Sequence, residues 1–363
     1  MRNHLERYPI ALDISDGSEL HALQLADRGG NPVVETALRR RNDDGDSCTL
    51  PDEAITDFLR HERKAGTFRG RSVSLLAPSG TVLSYPLRVV TNRDETFETA
   101  LVREAASVLE FPIEEALLDY VSVAEDEEGD SRTHRVLAVA ARKQDITRYI
   151  DLVRQSGFVL EVVDSVASAL YRAHTLATPL GSSPTLLCAM GRSRTDLVVA
   201  TRDAILAHRY IHWGTGQLTA KLVDNLKLDN PDRDADFLLR EHGLSHTLLP
   251  DDADPDEGSA ISRTVCELLL PLVQECIHEI HNLAGYIRST MLPMSFNQLY
   301  LYGDAIRIKG LCDYLAREVN MNASDIDPVA AHDADAEKRS VAPGDGGAFG
   351  LAFGLGLRRV KWL

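Results

Sequence analysis

The feature that most constrains this chain is a pattern that occurs twice. Residues 10–25 contain a short apolar segment, a polar turn and a second apolar segment, and residues 185–201 repeat this order. Short apolar segments separated by Gly, Ser and Asp are typical of strands joined by turns. Because the pattern begins each half of the chain, we expect a duplicated α/β fold with two lobes, each built on its own sheet.

Between the two repeats lies a segment with a different order of elements. It contains predicted strands and helices at residues 82–90, 94–109, 117–123, 136–141 and 144–156. Asp94 is placed to cap the first of these helices, and the acidic residues 125–130 are expected to form a loop between two strands. This β-α-β-β-α order predicts a small subdomain that is inserted into the first lobe.

We therefore expect three parts in the chain. They are the first lobe (residues 1–81 and 159–180), the inserted subdomain (residues 82–158) and the second lobe (residues 184–363, with a mostly helical insertion at residues 222–290). Residues 179–184 contain Pro, Gly and Ser, which is typical of a linker.

The composition excludes several classes of protein. The 363 residues include 39 Lys and Arg against 55 Asp and Glu, which gives a net charge of −16, and 44% of the residues are apolar. This apolar content is ordinary for a globular protein and excludes a chain that is disordered throughout. Since an acidic surface repels phosphates, nucleic acid is not an expected partner.

Cysteine spacing and hydropathy bear on the compartment. The five cysteines lie far apart and form no CxxC pair, which predicts a reducing compartment and no disulfide framework. Residues 1–9 lack the apolar core of a signal peptide, and no apolar run is long enough to cross about 30 Å of hydrocarbon. We therefore expect a cytoplasmic protein without a transmembrane segment, which reaches the inner membrane only through a partner.

Several segments along the chain carry a family resemblance. They are residues 10–14, 22–25, 110–115, 118–120, 136–143, 157–164, 195–197, 217–219, 310–315 and 350–359. In their order and spacing the chain resembles the type IV pilus assembly protein PilM family, which is related to the cell-division protein FtsA. The resemblance implies the actin-like fold, a duplicated ribonuclease-H-like fold of two lobes with a small inserted subdomain and a cleft for ATP and Mg²⁺.

The family's nucleotide site can be mapped onto this sequence. In such a site, backbone N–H groups of glycine-containing turns hold phosphates and an Asp holds Mg²⁺. If a nucleotide binds, the resemblance assigns it to Asp13, Ser15, Gly17, Ser18, Gly191, Ser193, Thr195, Asn282, Gly303 and Gly310. Asp13 would hold Mg²⁺ in that case, and we assign no other metal ligand and no catalytic residue.

Other positions in this mapping depart from the family pattern. The departures are Ser15, Asp16, Ala189, Gly216 and Asp304. Ser15 stands at a glycine position, and Asp16 places a carboxylate where phosphates would lie. Ala189 and Gly216 stand where the family has Asp, and Asp304 adds a side chain to the adenosine loop. We therefore predict that ATP binding is weak or lost and that the chain is not an enzyme.

The alternative hypothesis is that the chain still binds a nucleotide. Arg192, Arg194 and Asn282 could rebuild a site of altered chemistry, which would make the chain a slow ATPase or an ATP-gated switch of assembly. The features against this alternative are Asp16, Ala189 and Asp304. An expected basic position on the long helix is also matched by His281 and Asn282, which supply less positive charge.

The resemblance also implies a partner. Family members form a platform that holds the cytoplasmic N-terminal tail of a PilN-like bitopic membrane protein, in a groove between the first lobe and the inserted subdomain. The groove residues expected here are Val73, Leu75, Val82, Leu87, Val136 and Val139. An extended peptide gains affinity from apolar anchors and backbone pairing, and an acidic adaptor favours a basic tail.

Other partners and roles stay open at this stage. Further pilus or secretion proteins, self-association, and a role in type II secretion or cell division are alternatives. Because the last residues, 356–363, are basic and apolar, weak contact with a membrane surface is a minor alternative.

Three further patterns are too incomplete to predict a metal site. Glu275 and His278 lie one helical turn apart, and His208 and His212 flank a strand, but each pair offers too few ligands. The acidic residues 251–257 lack the ligand spacing of a calcium-binding loop.

Overall fold

The architecture is taken from a computed structural model, which describes residues 7–41, 49–91, 95–128, 131–248, 257–290, 296–332, 341 and 344–358. Within these residues the strands are β1 (Arg7–Asp13), β2 (Glu19–Arg28), β3 (Asn31–Arg41), β4 (Ser72–Leu76), β5 (Val82–Thr91), β6 (Ala116–Glu128), β7 (Ser131–Arg142), β8 (Val159–Asp164), β9 (Thr185–Met190), β10 (Thr195–Ala200), β11 (Ile205–Ile211), β12 (Gln298–Gly303) and β13 (Asn322–Asp325). The helices are α1 (Asp52–Ala65), α2 (Phe97–Val108), α3 (Lys143–Gln155), α4 (Val166–Ala177), α5 (Thr215–Leu226), α6 (Pro231–Glu241), α7 (Glu257–Thr290), α8 (Leu311–Val319), α9 (Pro328–His332) and α10 (Gly350–Gly356).

Two five-stranded sheets share one topology. The first sheet has the order β3-β2-β1-β4-β8, and the second has the order β11-β10-β9-β12-β13. In each sheet the first three strands in the chain are antiparallel neighbours, and the last two run parallel to the central strand. The duplication predicted from the repeated strand pattern is therefore present in the fold.

Helices cover both faces of the first sheet. On one face Phe58 and Leu59 of α1 pack with Ile10 and Leu12 of β1. On the other face α4 and α10 pack against β1 and β2, with Phe353 fully buried among them. A strand that is covered on both faces is apolar along its whole length, which is why residues 10–12 show no alternation.

The inserted segment forms a separate three-stranded sheet with the order β5-β7-β6. Its core joins Val89 and Val136 to Ala100 and Leu101 of α2. The acidic loop expected at residues 125–130 is largely strand, because β6 and β7 pair as far as Glu128 and Ser131.

Two further details of this segment differ from the expectation. Helix α2 begins at Phe97, and its N-cap is Thr96, whose Oγ1 accepts a hydrogen bond from the Thr99 N–H at 3.3 Å. Asp94, the expected cap, lies outside the described residues. The buried face of α3, including Leu152 and Val153, packs in the core of the first lobe. The division of the chain at residue 158 stays a prediction.

Candidate functional site

The floor of the cleft between the lobes is formed by two turns. The turn after β1 is held by Asp13, whose Oδ1 accepts hydrogen bonds from the N–H (2.9 Å) and the Oγ (2.6 Å) of Ser15. Asp13 is buried, and burial raises its pKa. Gly17 adopts φ +84°, a backbone conformation that favours glycine and allows this turn to close.

Asp16 joins this turn to the turn between β9 and β10 in the second lobe. Its Oδ2 accepts a hydrogen bond from the Ser193 N–H at 2.9 Å, and the Ser193 Oγ donates to the Asp16 carbonyl at 2.5 Å. Ser18 also donates its hydroxyl to this carboxylate. A Cβ on Gly191 would lie 2.4 Å from Asp16 Oδ2, so only glycine fits there. The carboxylate therefore occupies the gap between the two turns.

The arginine and threonine beside this gap are engaged with the protein itself. Arg194 donates to the carbonyls of Asp16 (3.2 Å) and Ser79 (2.6 Å). Thr195 is buried, and its hydroxyl donates to the Trp213 carbonyl at 2.9 Å. Both side chains satisfy backbone carbonyls in this way.

At the upper level of the cleft, an ion-pair bridge connects β3 to the end of β12. Arg39 donates from Nε to Glu19 Oε2 at 2.8 Å and from Nη1 to Asp304 Oδ1 at 3.0 Å. Glu19 and Asp304 are almost fully buried, with 1% and 4% of their surfaces exposed. Burial would raise the pKa of Asp304, but Arg39 and Arg307 beside it hold that pKa below its ordinary value. Burial and the nearby Asp304 raise the pKa of Glu19.

The bridge continues into a larger network. Arg307 contacts Asp304 and Asp345, each at 3.1 Å, and Arg240 contacts Asp345 at 2.6 Å. Arg41 contacts the second oxygen of Glu19 at 2.9 Å. Asp236 contacts Arg240 at 2.7 Å and Arg307 at 3.5 Å, so four arginines face four carboxylates in this network.

Within the described part of the chain, two small cavities lie in the cleft. One cavity of about 30 Å³ is lined by residues that include Asp13, His21 and Gly303, and another of about 30 Å³ is lined by residues that include Arg192 and Asp304. Sites for small molecules usually measure about 300–1,000 Å³, whereas cavities of this size hold a few water molecules at most.

The mapped nucleotide residues fall into two groups. The structure brings together at the cleft Asp13, Ser15, Asp16, Gly17, Ser18, Ala189, Gly191, Ser193, Gly303 and Asp304. Gly216 lies beneath Arg192, whose carbonyl accepts its N–H at 2.8 Å. Asn282 is exposed on α7, and Gly310 packs against Ser245, so neither lines the two cavities.

A much larger opening lies between the first lobe and the inserted sheet. This groove, with a volume of about 580 Å³, has walls formed by β6 and β8 together with α3 and α4. Its apolar lining includes Leu117, Val121, Ile150 and Leu160. Leu117, Val121 and Ile150 are among the exposed large apolar side chains of the protein.

The expected groove residues are only partly correct. Val82 and Val139 line the groove. Val73 and Leu75 are instead buried in the core of the first lobe, since β4 is an interior strand and β8 forms the edge of that sheet. Val136 and Leu87 pack under α2, on the opposite face of the inserted sheet.

Charged groups accompany the apolar walls of the groove. Asp119 and Glu161 lie on the two facing strands. At one end, the buried Asp164 pairs with Arg172 and with Arg358, the latter at 2.8 Å. The groove thus combines apolar walls and two acidic groups with one end where a single carboxylate faces two arginines.

The described residues contain no group of three or more His, Cys, Asp or Glu side chains that could hold a metal ion. Glu275 and His278 are exposed on α7, and His208 bonds the buried Asp196 at 2.9 Å. Of the acidic residues 251–257, all but the last lie outside the described part of the chain. None of the helices in that part is long and apolar enough to cross a membrane.

Comparison with known proteins decides the family. A model of the family described as "Type IV pilus assembly protein PilM" matches residues 12–360. The chain belongs to the PilM family. A search of curated proteins found no match.

Solved structures agree with this family. The PilM–PilN type IV pilus biogenesis complex contains a chain 20% identical to this one, with 96% of this chain and 98% of that chain covered and a TM-score of 0.76. The ethanolamine utilization protein EutJ from Carboxydothermus hydrogenoformans is 13% identical, covers 96% and 89%, and has a TM-score of 0.53. MreB5 of Spiroplasma citri, bound to ADP, is 11% identical, covers 95% and 94%, and has a TM-score of 0.50. The predicted actin-like fold is confirmed.

Proposed function

We propose that this PilM-family protein is a cytoplasmic adaptor that binds the N-terminal tail of a PilN-like membrane protein and does not hydrolyse ATP. Binding such a tail would hold the adaptor at the inner membrane. The observation that carries the proposal is the contrast between a groove of about 580 Å³ and an inter-lobe cleft with cavities of about 30 Å³. The similar PilM–PilN complex supports the choice of partner.

The groove has the properties of a peptide site. Strands β6 and β8 are the edges of their sheets, so each leaves one side of its backbone without a strand partner within the described residues. An extended peptide can pair with such an edge while its apolar side chains enter the pocket. Asp119 and Glu161 favour a peptide that carries Lys or Arg.

The cleft supports the second part of the proposal. A triphosphate would have to displace the Asp16 carboxylate from Ser193, and its phosphates would then face that carboxylate. On the adenosine side, the Arg39 side chain and Asp304 fill the space between the lobes. Since Arg194 donates to two carbonyls, it is not available to a phosphate in this arrangement.

Titration with a synthetic tail peptide of the PilN-like partner tests the adaptor function. We expect Ile150→Glu, which places a charge in the groove, to weaken binding at least about tenfold. Ile261→Glu is the matched control, because Ile261 is an equally exposed isoleucine on α7 that does not line the groove (45% against 41% exposure). Equal affinities for both variants, or no binding by the unmodified protein, would contradict the proposal.

Titration with ATP and Mg²⁺ tests whether nucleotide binding is lost. We expect no heat of binding with the unmodified protein. The double variant Asp16→Ser and Ala189→Asp, which restores a short side chain and a metal-side carboxylate, is expected to gain binding. Micromolar binding by the unmodified protein would favour the alternative of a nucleotide-controlled switch.

A further inference from the structure

Side-chain contacts cross the cleft at two separate levels. At the floor, Asp16 of the first lobe accepts the Ser193 N–H of the second lobe, and Arg194 of the second lobe donates to Ser79 of the first lobe. At the upper level, Arg39 of β3 contacts Asp304 with two nitrogens.

The upper contact has the geometry of a strong ion pair. The guanidinium of Arg39 faces both oxygens of Asp304, while its Nε donates to Glu19 at 2.8 Å. Bidentate pairs of this kind are shorter and stronger than neutral hydrogen bonds. Arg39 is 16% exposed and Asp304 is 4% exposed, so salt and water screen the pair little. Removing either partner leaves a largely buried charge with fewer opposite charges beside it, since Asp304 then keeps only Arg307 and Arg39 keeps only Glu19.

The floor contact is equally close. The Cβ that is missing at Gly191 of the second lobe would lie 2.4 Å from Oδ2 of Asp16 in the first lobe. The turns of the two lobes are therefore in direct contact and do not face each other across a solvent gap. Each contact is made by groups of the protein itself.

We infer that these two sets of contacts form a lobe clamp, which holds the lobes closed without any ligand between them. The lobe clamp consists of Asp16, Ser193, Arg39 and Asp304. The closure of the lobes then depends on these contacts of the protein itself, including the ion pair of residues 39 and 304, and not on a nucleotide. This inference goes beyond the adaptor function, and it holds whichever peptide occupies the groove.

Hydrogen–deuterium exchange of the full chain, without added ligand, tests the lobe clamp. Opening of the cleft exposes the Ser193 N–H and the turns at residues 14–18 and 191–194. We expect Arg39→Met and Asp304→Asn to accelerate exchange in these turns at least about tenfold, with exchange in β1 and β9 unchanged. The double variant should exceed neither single variant by more than about twofold, because both remove the same contact.

One control variant and one further cleft variant accompany this test. Arg154→Met removes a surface ion pair with Asp151, formed at 2.6 Å on α3, and is expected to leave the cleft turns unchanged. Ser193→Ala removes a hydroxyl without creating a buried charge, and it should accelerate exchange in the same turns even if the Arg39 variant folds poorly. Unchanged exchange in all cleft variants, acceleration that is uniform over the chain, or slower exchange of the unmodified protein on addition of ATP and Mg²⁺ would overturn the inference.

Discussion

The buried histidine of α4 makes the stability of this protein depend on pH. His174 is fully buried, and its Nδ1 lies 2.8 Å from the hydroxyl of Tyr302. Its ring also packs against Tyr300, with 4.4 Å between centroids. Its Nε2 has no hydrogen-bond partner among the described residues. Burial lowers the pKa of His174 from 6.5 to about 4, because the site disfavours the charged imidazolium.

The sign and size of the effect follow from proton linkage. Below pH 6.5 the unfolded chain protonates this histidine while the folded chain does not, so stability falls with pH until about pH 4. The difference between a pKa of 6.5 in the unfolded chain and about 4 in the folded protein corresponds to about 3.4 kcal/mol over the whole range. Between pH 7.5 and 5.5 the same relation gives a loss of about 1.3 kcal/mol.

Urea unfolding at pH 7.5 and 5.5, at fixed ionic strength, measures this loss. His174→Asn keeps a polar group near Tyr302 but does not titrate. We expect the unmodified protein to lose about 1.3 kcal/mol more than this variant over the interval. His61→Asn, at an exposed position on α1, is the control and should behave like the unmodified protein. If His174→Asn and the unmodified protein lose the same stability within about 0.3 kcal/mol, the reasoning from burial is refuted.

Urea unfolding checks four further predictions about capping, packing and helix propensity. Thr96→Ala removes the N-cap of α2 and should cost about 1 kcal/mol. Gly354→Ala should cost about 3 kcal/mol, because its Cβ would lie 1.9 Å from the Ala169 carbonyl of α4. Gly285→Ala, an exposed position on α7 with no atom within 4 Å of the added Cβ, should instead add about 0.5–1 kcal/mol. Leu170→Ala empties a buried site between α4 and the second sheet and should cost about 2–5 kcal/mol, so a loss below about 1 kcal/mol would contradict this packing.

The predicted strands agree with the structure where a short stretch of sequence is enough to specify them. The β1–β2 pair and the β9–β10 pair lie close to their predicted positions, because apolar runs and turn residues specify strands within a few residues. Strand β13 was not predicted. Its residues Asn322–Asp325 are polar, and their strand conformation comes from parallel pairing with β12. Such pairing leaves no pattern in a polar segment of four residues.

The predictions of site residues also divide into those that a short stretch of sequence supports and those that depend on contacts between distant residues. The degenerate turn at Asp16 was visible in the sequence, since a carboxylate next to Gly17 departs from the family pattern. The position of that carboxylate on Ser193, 177 residues away, was not visible. Arg39 was not among the predicted residues at all, because its partner Asp304 lies 265 residues away in the sequence.

The sequence by itself determined the duplicated two-lobed fold and the inserted strands and helices, and it predicted departures from the family's nucleotide-binding residues. These properties depend on residue types and on spacings within short segments. Only the tertiary structure decided that β4 is interior and that β6 and β8 form the groove, because strand order is set by pairing between distant segments. It also decided that Asp16 and Arg39 reach across the cleft, since folding brings together side chains that the chain keeps far apart.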